Sequence, residues 1–470
     1  MAKARRVFHE PKQMGTSKVT RAEARLQQGI EFHRAGMLTQ AEFIYRDVLA
    51  QSPRQFDCLH YFGALQCQIG QYESGAKLIR RAIKIRPDWP VLHYNLALAL
   101  QRLNHPEEAL VCFNRALRLK PDYVEALLNR GVTLHALKRP GEALVSFERA
   151  LVLKPSYADA HWNEGLCQLL TGNFERGWQK LEWRWQHEKF EKARRDFPQP
   201  LWTGEQSIAQ KTILLHAEQG LGDTVQFCRY VRLVASKGTD VLLEVQPSLK
   251  SLLARLDNDS KVFARGEVLP AFDYHCPLLS LPLAFKTRLD TIPANVPYLS
   301  SDPTRVKKWQ AKLGQKRALR VGLAWCGSKD HANDANRSIR LNELAKLLSA
   351  RAQFVSLQKE VRAPDEVVLK MEKDLLHFGH ELTDFADTAA LVELMDLVIT
   401  VDTAVAHVAG ALGKPVWILL PFAPDWRWLL DRDDSPWYPT SKLFRQSVIG
   451  DWAGVITRVN NELCALRLRA

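Results

Sequence analysis

Residues 86–121 read RPDWPVLHYNLALALQRLNHPEEALVCFNRALRLKP, a stretch that begins and ends on the same beat of a 34-residue period. Four prolines mark that beat: Pro53, Pro87, Pro121 and Pro155 are each 34 residues apart. Small residues hold one phase at Gly29, Gly63, Ala97, Gly131 and Gly165, and a second at Ala41, Gly75, Ala109, Ala143 and Gly177. A third small position runs through Ala82, Ala116 and Ala150, with Val48 in the first copy. Tyr45, Ile79, Phe113 and Phe147 recur in register with them. One period of this kind is a pair of antiparallel helices. The small residues let the helices approach, the bulky ones fill the space between pairs, and the proline ends one helix and starts the next unit.

The pattern resembles the tetratricopeptide repeat, with four full copies and an atypical fifth over residues 21–185 after a disordered tail at 1–20. The fifth copy departs at Gly172–Trp185, where the array must stop exposing an apolar edge. Trp178, Trp183 and Trp185 stand there at helical spacing and are expected to dock onto the next domain. Gln27, Asn95, Asn129 and Asn163 share one repeat position. The resemblance implies that this position lines the concave surface, where an amide carries both a donor and an acceptor for a peptide backbone. Such a ladder is similar to the peptide groove of repeat-bearing protein O-GlcNAc transferases, although asparagine also occurs at this position in repeats without that role.

The helical pattern lapses over 186–210, which reads as a linker. Beyond it, short β-rich runs (KTILLH, DVLLEV, KVFA, FDYHCP) alternate with amphipathic stretches. The alternation pauses over a polar, helical 301–317 and restarts with LRVGLAW, FVSLQ, DLVITV and PVWILL. This is the signature of parallel sheets with crossover helices. The fold class is therefore an α-solenoid followed by two Rossmann-like lobes, 211–300 and 318–470, joined through 301–317. The last helical stretch, 451–467, is expected to fold back over the first lobe.

In open parallel sheets ligands lie outside the carboxyl ends of the strands, so chemistry belongs in the segments just beyond them. After the first strand comes HAEQGLGDTVQF (216–227), with Gly220, Gly222 and Asp223 at a helix start. The glycines permit close backbone approach, and the free N–H groups of the helix end suit an anion. In the second lobe DLVITVDTAVAHVAGALGKPVWILLPFAPDW (396–426) sets Asp402 and Thr403 at a strand-to-helix turn, with His407 one turn on. Both stretches resemble heptosyltransferase-like enzymes of glycosyltransferase family 9, whose fold is GT-B, and the similarity runs collinearly over about 211–460. Ala404 stands where that family's D-[ST]-G-x-x-H segment has glycine, and DFADTAAL (384–391) again lacks one.

The resemblance implies that Asp223 is the catalytic base, and that Gly220, Gly222, Asp402, Thr403 and His407 hold a nucleotide-sugar. It adds Ser328 and Arg337 from CGSKDHANDANRSI, Gln358 and Lys359 from FVSLQKE, and Asp425 from LLPFAPDWRWL. Arg337 suits phosphate because its planar fork matches phosphate oxygens. Asp223 and Asp402 each also have a structural alternative as a helix cap, and His407 as a core residue.

The bulk composition narrows the field. A chain of 470 residues holds several domains; 46% hydrophobic and 25% charged residues are ordinary for a globular protein. The +13 charge is scattered along the chain, which favours a phosphate-bearing ligand or anionic partner over nucleic acid, for which no module is present. No apolar run reaches bilayer length, and MAKARRVFHEPKQMG has no apolar core of a secretory signal. Eight cysteines without a CxxC pair read as reduced thiols, hence a cytoplasmic setting, and the histidines lack metal-ligand spacing.

The expectation is a metal-independent, inverting transferase. It would carry sugar from a nucleotide-sugar co-substrate, with no resident cofactor, to a Ser or Thr hydroxyl of a protein held by the repeats. Homo-oligomers are compatible with such arrays. Two alternatives stand beside it: an inactive repeat scaffold, and a transferase acting on a glycan or glycolipid.

Overall fold

The computed structural model describes residues 21–256, 260–349 and 352–467; the tail expected over 1–20 lies outside the described residues. The described residues form two compact units, residues 21–167 with 187–189, and residues 168–186 with 190–467.

In the first unit consecutive helices pack in pairs: α1 (Arg21–Arg34) with α2 (Leu38–Gln51), α3 (Phe56–Gln68) with α4 (Tyr72–Ile85), α5 (Pro90–Arg102) with α6 (Pro106–Leu119), and α7 (Val124–Ala136) with α8 (Pro140–Leu153). Helix α9 (Ala158–Leu170) comes next and crosses the division between the units. Each phased proline comes directly after a helix C-cap, at Ser52, Arg86, Lys120 and Lys154. The glycines act by proximity: a Cβ on Gly131 would lie 2.3 Å from the Phe147 ring, and one on Gly63 2.7 Å from Ile79. Tyr45, Ile79, Phe113 and Phe147 are fully buried, each contributing about 1.5–3 kcal/mol relative to exposure.

The second unit opens with α10 (Phe174–Leu181), the second helix of the atypical repeat. Trp178 on it is buried, donates to the Thr287 carbonyl (2.9 Å) and meets Trp426 and Trp437 edge-on. The 34-residue pattern ends near 185, but the compact division falls at 167/168. The physical reason is the apolar face of α10, which is spent on the α/β core. Nor does 186–210 behave as a loose linker. Trp202 is buried, its main-chain N–H donates to the His275 carbonyl (2.8 Å), and Leu201 bridges to His275 in parallel.

Two wholly parallel sheets complete the second unit. The first has the order β3-β2-β1-β4, from β1 (Thr212–His216), β2 (Asp240–Val245), β3 (Lys261–Ala264) and β4 (Tyr274–Pro277). The second has the order β10-β9-β8-β5-β6-β7, from β5 (Arg320–Ala324), β6 (Gln353–Ser356), β7 (Leu375–His377), β8 (Leu397–Val401), β9 (Val416–Leu420) and β10 (Ser441–Arg445). β5, β8 and β9 are buried along their whole length, as strands covered on both faces must be. The strand order reverses at β1/β4 and at β5/β8, which places the ligand-binding ends there.

Helix Pro303–Leu313 packs on helix Phe385–Glu393, tied by Trp309 to Asp387 (3.2 Å) and Arg305 to Asp384 (2.6 Å). Asp384 caps the second of these helices. The DFADTAAL segment therefore spends both aspartates on structure. Helix Trp452–Arg467 corrects an expectation: it lies on its own lobe, not over the first. Trp452, Val455, Ile456, Val459 and Leu463 form a helical stripe buried in one core with Val321, Leu323 and Phe444. Among the described residues no helix is long and apolar enough to cross a membrane.

Candidate active site

The helix Leu221–Phe227 begins directly after the β1 loop, and Gly220 is its N-cap. Asp223 reaches back, Oδ2 accepting the Gly220 N–H (2.9 Å), so the carboxylate closes the first turn. Gln246 steadies the loop from behind, donating to the Gln219 carbonyl (2.8 Å) and accepting from Thr224 Oγ1 (2.9 Å). The other Asp223 oxygen, Oδ1, accepts from Nη2 of Arg427, which comes from the opposite lobe.

Arg427 is the hub. It lies in the turn after β9, buried, with Nη1 on Asp425 Oδ1 (2.7 Å), Nη2 on Asp223 and Nε on Gln226 Oε1 (2.7 Å). The guanidinium also stands 4.2 Å from the Trp426 ring centroid. Buried charges of this kind persist only when paired, and this one is paired to both lobes. Burial opposes the charged form of Asp425, but the Arg427 guanidinium and its hydrogen bonds outweigh that and hold the carboxyl below its ordinary range. The sequence motifs do not single out Arg427, although it stands within LLPFAPDWRWL. A charge inside a Trp-Arg-Trp run is the available signal.

On the second lobe Thr403 caps helix Ala404–Ala411 through Oγ1, which accepts the Val405 N–H (3.2 Å). Its hydroxyl is thus already used by the helix. Arg337 Nη1 donates to the Asp402 carbonyl (2.9 Å), and Gly327 makes room for it, since a Cβ there would fall 2.5 Å from Nη2. Nε of Arg337 is buried without a hydrogen-bond partner. Burial and then the charge of Asp425 raise the Asp402 carboxyl above its usual value, with Arg337 opposing.

His407 stands on helix Ala404–Ala411, one turn after Thr403. It is buried, Nδ1 meets Tyr438 Oη (2.9 Å), and Trp428 stacks against the ring. Burial, then Arg427, pushes its pKa down to about 3, so the imidazole is neutral. Gly222 from the first lobe sits against this ring, where a Cβ would be 2.7 Å from Cδ2. Arg229 adds a further cross-lobe contact, donating to the Trp437 carbonyl (2.8 Å), and also donates to Tyr298 Oη (3.0 Å).

Gly220, Gly222, Asp223, Asp402, Thr403, His407, Asp425 and Arg337 thus surround one seam between the sheets. Three other residues do not join its ion pairs. Gln358 Oε1 accepts the N–H groups of Trp325 and Cys326 (both 3.3 Å) and so shapes the loop after β5. Lys359 donates to the Thr383 carbonyl (3.2 Å), and Ser328 is exposed, accepting the Asp330 N–H (3.3 Å). Behind Asp223, Glu218 is buried. It accepts the Leu279 N–H (3.2 Å) beside Arg184 (3.4 Å), which also donates to Ser280 (2.7 Å). Among the described residues no group of three His, Cys, Asp or Glu is placed to hold a metal ion.

In the first unit, the amides of Asn129 and Asn163 donate to the carbonyls four residues back, Glu125 (2.8 Å) and Asp159 (2.7 Å). Asn95 approaches His60 (3.5 Å), Asn129 also reaches Tyr94 Oη (3.3 Å), and Gln27 is exposed beside Glu31 (3.4 Å). Each amide donor is thus engaged along the first helices of the pairs. Among the described residues no donor reaches the acceptor oxygens of Asn129 and Asn163.

Fold and site together describe an array of paired helices followed by a two-lobed α/β domain with one parallel sheet in each lobe. A tetratricopeptide-repeat family model matches residues 94–158, and the model of glycosyltransferase family 9 (heptosyltransferase) matches residues 371–419. These likenesses support a glycosyltransferase.

Among individual proteins, the chain is 28% identical over 320 residues to protein FlbA of Caulobacter vibrioides, covering 63% of this chain and 53% of FlbA. The chain thus spans about half the length of that relative. Solved structures overlap the chain in part. MamA protein gives a TM-score of 0.34 at 17% identity, covering 38% of this chain and 98% of MamA. YrrB, described as a tetratricopeptide-repeat protein with an unusual peptide-binding site, gives 0.33 at 21%, covering 36% and 87%.

Proposed function

We propose that this chain transfers a sugar from a nucleotide-sugar donor to a Ser or Thr hydroxyl of a protein held by the repeats, without a metal ion and with inversion. The observation that carries the reading is Asp223, presented at a helix start on one lobe, directly opposite Arg427, Asp425 and the 402–404 turn of the other. A carboxylate there takes the proton of an attacking hydroxyl. The start of helix Ala404–Ala411 and the part-unpaired guanidinium of Arg337 suit the donor's diphosphate. The free carbonyl oxygens of Asn129 and Asn163 suit the N–H groups of an extended acceptor chain.

The reading is tested by mass spectrometry of proteins from cells carrying the wild type or Asp223→Ala. A sugar mass lost from one or more proteins in the variant supports it. Identical spectra, together with no calorimetric signal for any nucleotide-sugar in a panel, would leave a repeat scaffold instead.

A further inference from the structure

Asp223, Asp402 and Asp425 meet Arg337 and Arg427 at the seam, and one contact among them conflicts with catalysis. Asp223 has both oxygens in use, Oδ2 on the Gly220 N–H and Oδ1 on Arg427. Each oxygen keeps one lone pair, but the guanidinium covers the side of Oδ1 that is turned to the second lobe. Arg427 belongs to the second lobe by its chain position, by its two-point hold on Asp425 (main-chain N–H 3.0 Å, Nη1 2.7 Å) and by its stacking on Trp426. Its contacts to the first lobe are single hydrogen bonds to Asp223 and Gln226, with the Phe227 ring centroid 5.8 Å from the guanidinium. Parting of the lobes would leave the guanidinium with the second lobe and free Nη2 and Nε together. These two N–H groups form one edge of the planar fork, the geometry that grips two oxygens of a phosphate.

We infer that Arg427 is a second catalytic residue: its guanidinium exchanges Asp223 for the donor's diphosphate, and that exchange unmasks the base. The inference rests on the reading of the chain as a nucleotide-sugar transferase. With donor bound, Oδ1 of Asp223 faces the acceptor hydroxyl while Oδ2 stays on Gly220. The acceptor oxygen then bonds to the anomeric carbon, and its proton passes to Oδ1. The anomeric carbon–oxygen bond to the diphosphate breaks, and the nucleoside diphosphate leaves with the electron pair, its added charge facing Arg427. Until a donor arrives the base is paired, which suppresses futile proton transfer and makes donor binding come first.

The test is calorimetry on the full chain with UDP, GDP, CDP and ADP, each beside its nucleoside. For the base that binds, Arg427→Gln should weaken the diphosphate about 10- to 100-fold, the cost of one charged hydrogen-bonding pair, and leave the nucleoside unchanged. Arg427→Lys should recover part of that loss. Asp223→Asn gives the opposite sign: with its carboxylate competitor neutralised, Arg427 should hold the diphosphate several-fold more tightly than in the wild type. A merely structural role for Arg427 predicts no gain in that variant, so the Asp223→Asn result decides even if Arg427→Gln fails to fold. Unchanged or weaker diphosphate binding in Asp223→Asn overturns the inference alone. Absence of binding by the wild type overturns the transferase reading beneath it.

Discussion

Gly222 and His407 touch across the seam with no space for one more carbon: a Cβ on Gly222 would stand 2.7 Å from Cδ2 of the imidazole. The ring cannot retreat, because Trp428 stacks on it and Tyr438 holds Nδ1. The glycine is therefore needed for lobe closure, which is a different role from the phosphate approach that a glycine-rich turn suggests.

Gly222→Ala should cost about 1–3 kcal/mol, the range for overpacking a filled site. Urea denaturation reads it directly. An unchanged midpoint would mean that the two lobes are not closed on each other in solution.

Trp178→Ala should be among the most damaging changes in the chain, about 3–5 kcal/mol, because a buried indole between Trp426 and Trp437 is removed. In the same vein, a fragment beginning at Ala158 should retain nucleotide binding, whereas one beginning at residue 186 should lose cooperative unfolding. Cooperative melting of the shorter fragment would show that α10 belongs to the repeats alone.

Glu218 gives the protein a pH-dependent stability. Burial raises its carboxyl from 4.5 to about 7, with Arg184 opposing and Asp223 reinforcing the rise. The folded state therefore binds a proton that the unfolded chain has released. The stability this proton confers is complete below about pH 4.5 and is lost as pH rises through about 7. Glu218→Gln cannot titrate, so between pH 5 and 8 the wild type should lose on the order of 2 kcal/mol more than the variant. Parallel pH profiles from guanidinium unfolding would refute the assignment.

The groove role proposed for Asn95, Asn129 and Asn163 can be separated from donor chemistry. Replacing all three by Ala should change stability by less than about 1 kcal/mol per site, since they are part-exposed and their bonds are mostly to their own helices or neighbouring side chains. Modification of protein acceptors should fall at least tenfold while nucleotide affinity holds. Equal labelling of proteins by the triple variant would remove the groove from the reaction.

Much of this architecture is legible in the chain, and the hidden parts share a common cause. The pairing of Gly131 with Phe147 is a contact within one repeat, so a period of 34 residues reveals it. The alternation of buried strands with helices exposes the two sheets in the same local way, because strand burial is written in runs of Val, Leu and Ile. Asp223 and Asp402 are visible because each sits where a strand ends and a helix starts. The fate of helix Trp452–Arg467 is not, since its apolar stripe fits either sheet until one face is found to be uncovered.

Sequence alone determined the helical repeats, the parallel α/β class and the strand-end aspartates, all products of spacing and side-chain type within a few dozen residues. Only the folded chain decided that Arg427 would lie on Asp223, 204 positions earlier, and that α10 would leave its repeat for the α/β core. Both outcomes depend on which surfaces remain uncovered once local elements have formed. A long-range ion pair leaves no periodic trace: its energy is set by the burial and direction of two side chains that the intervening lobes bring together.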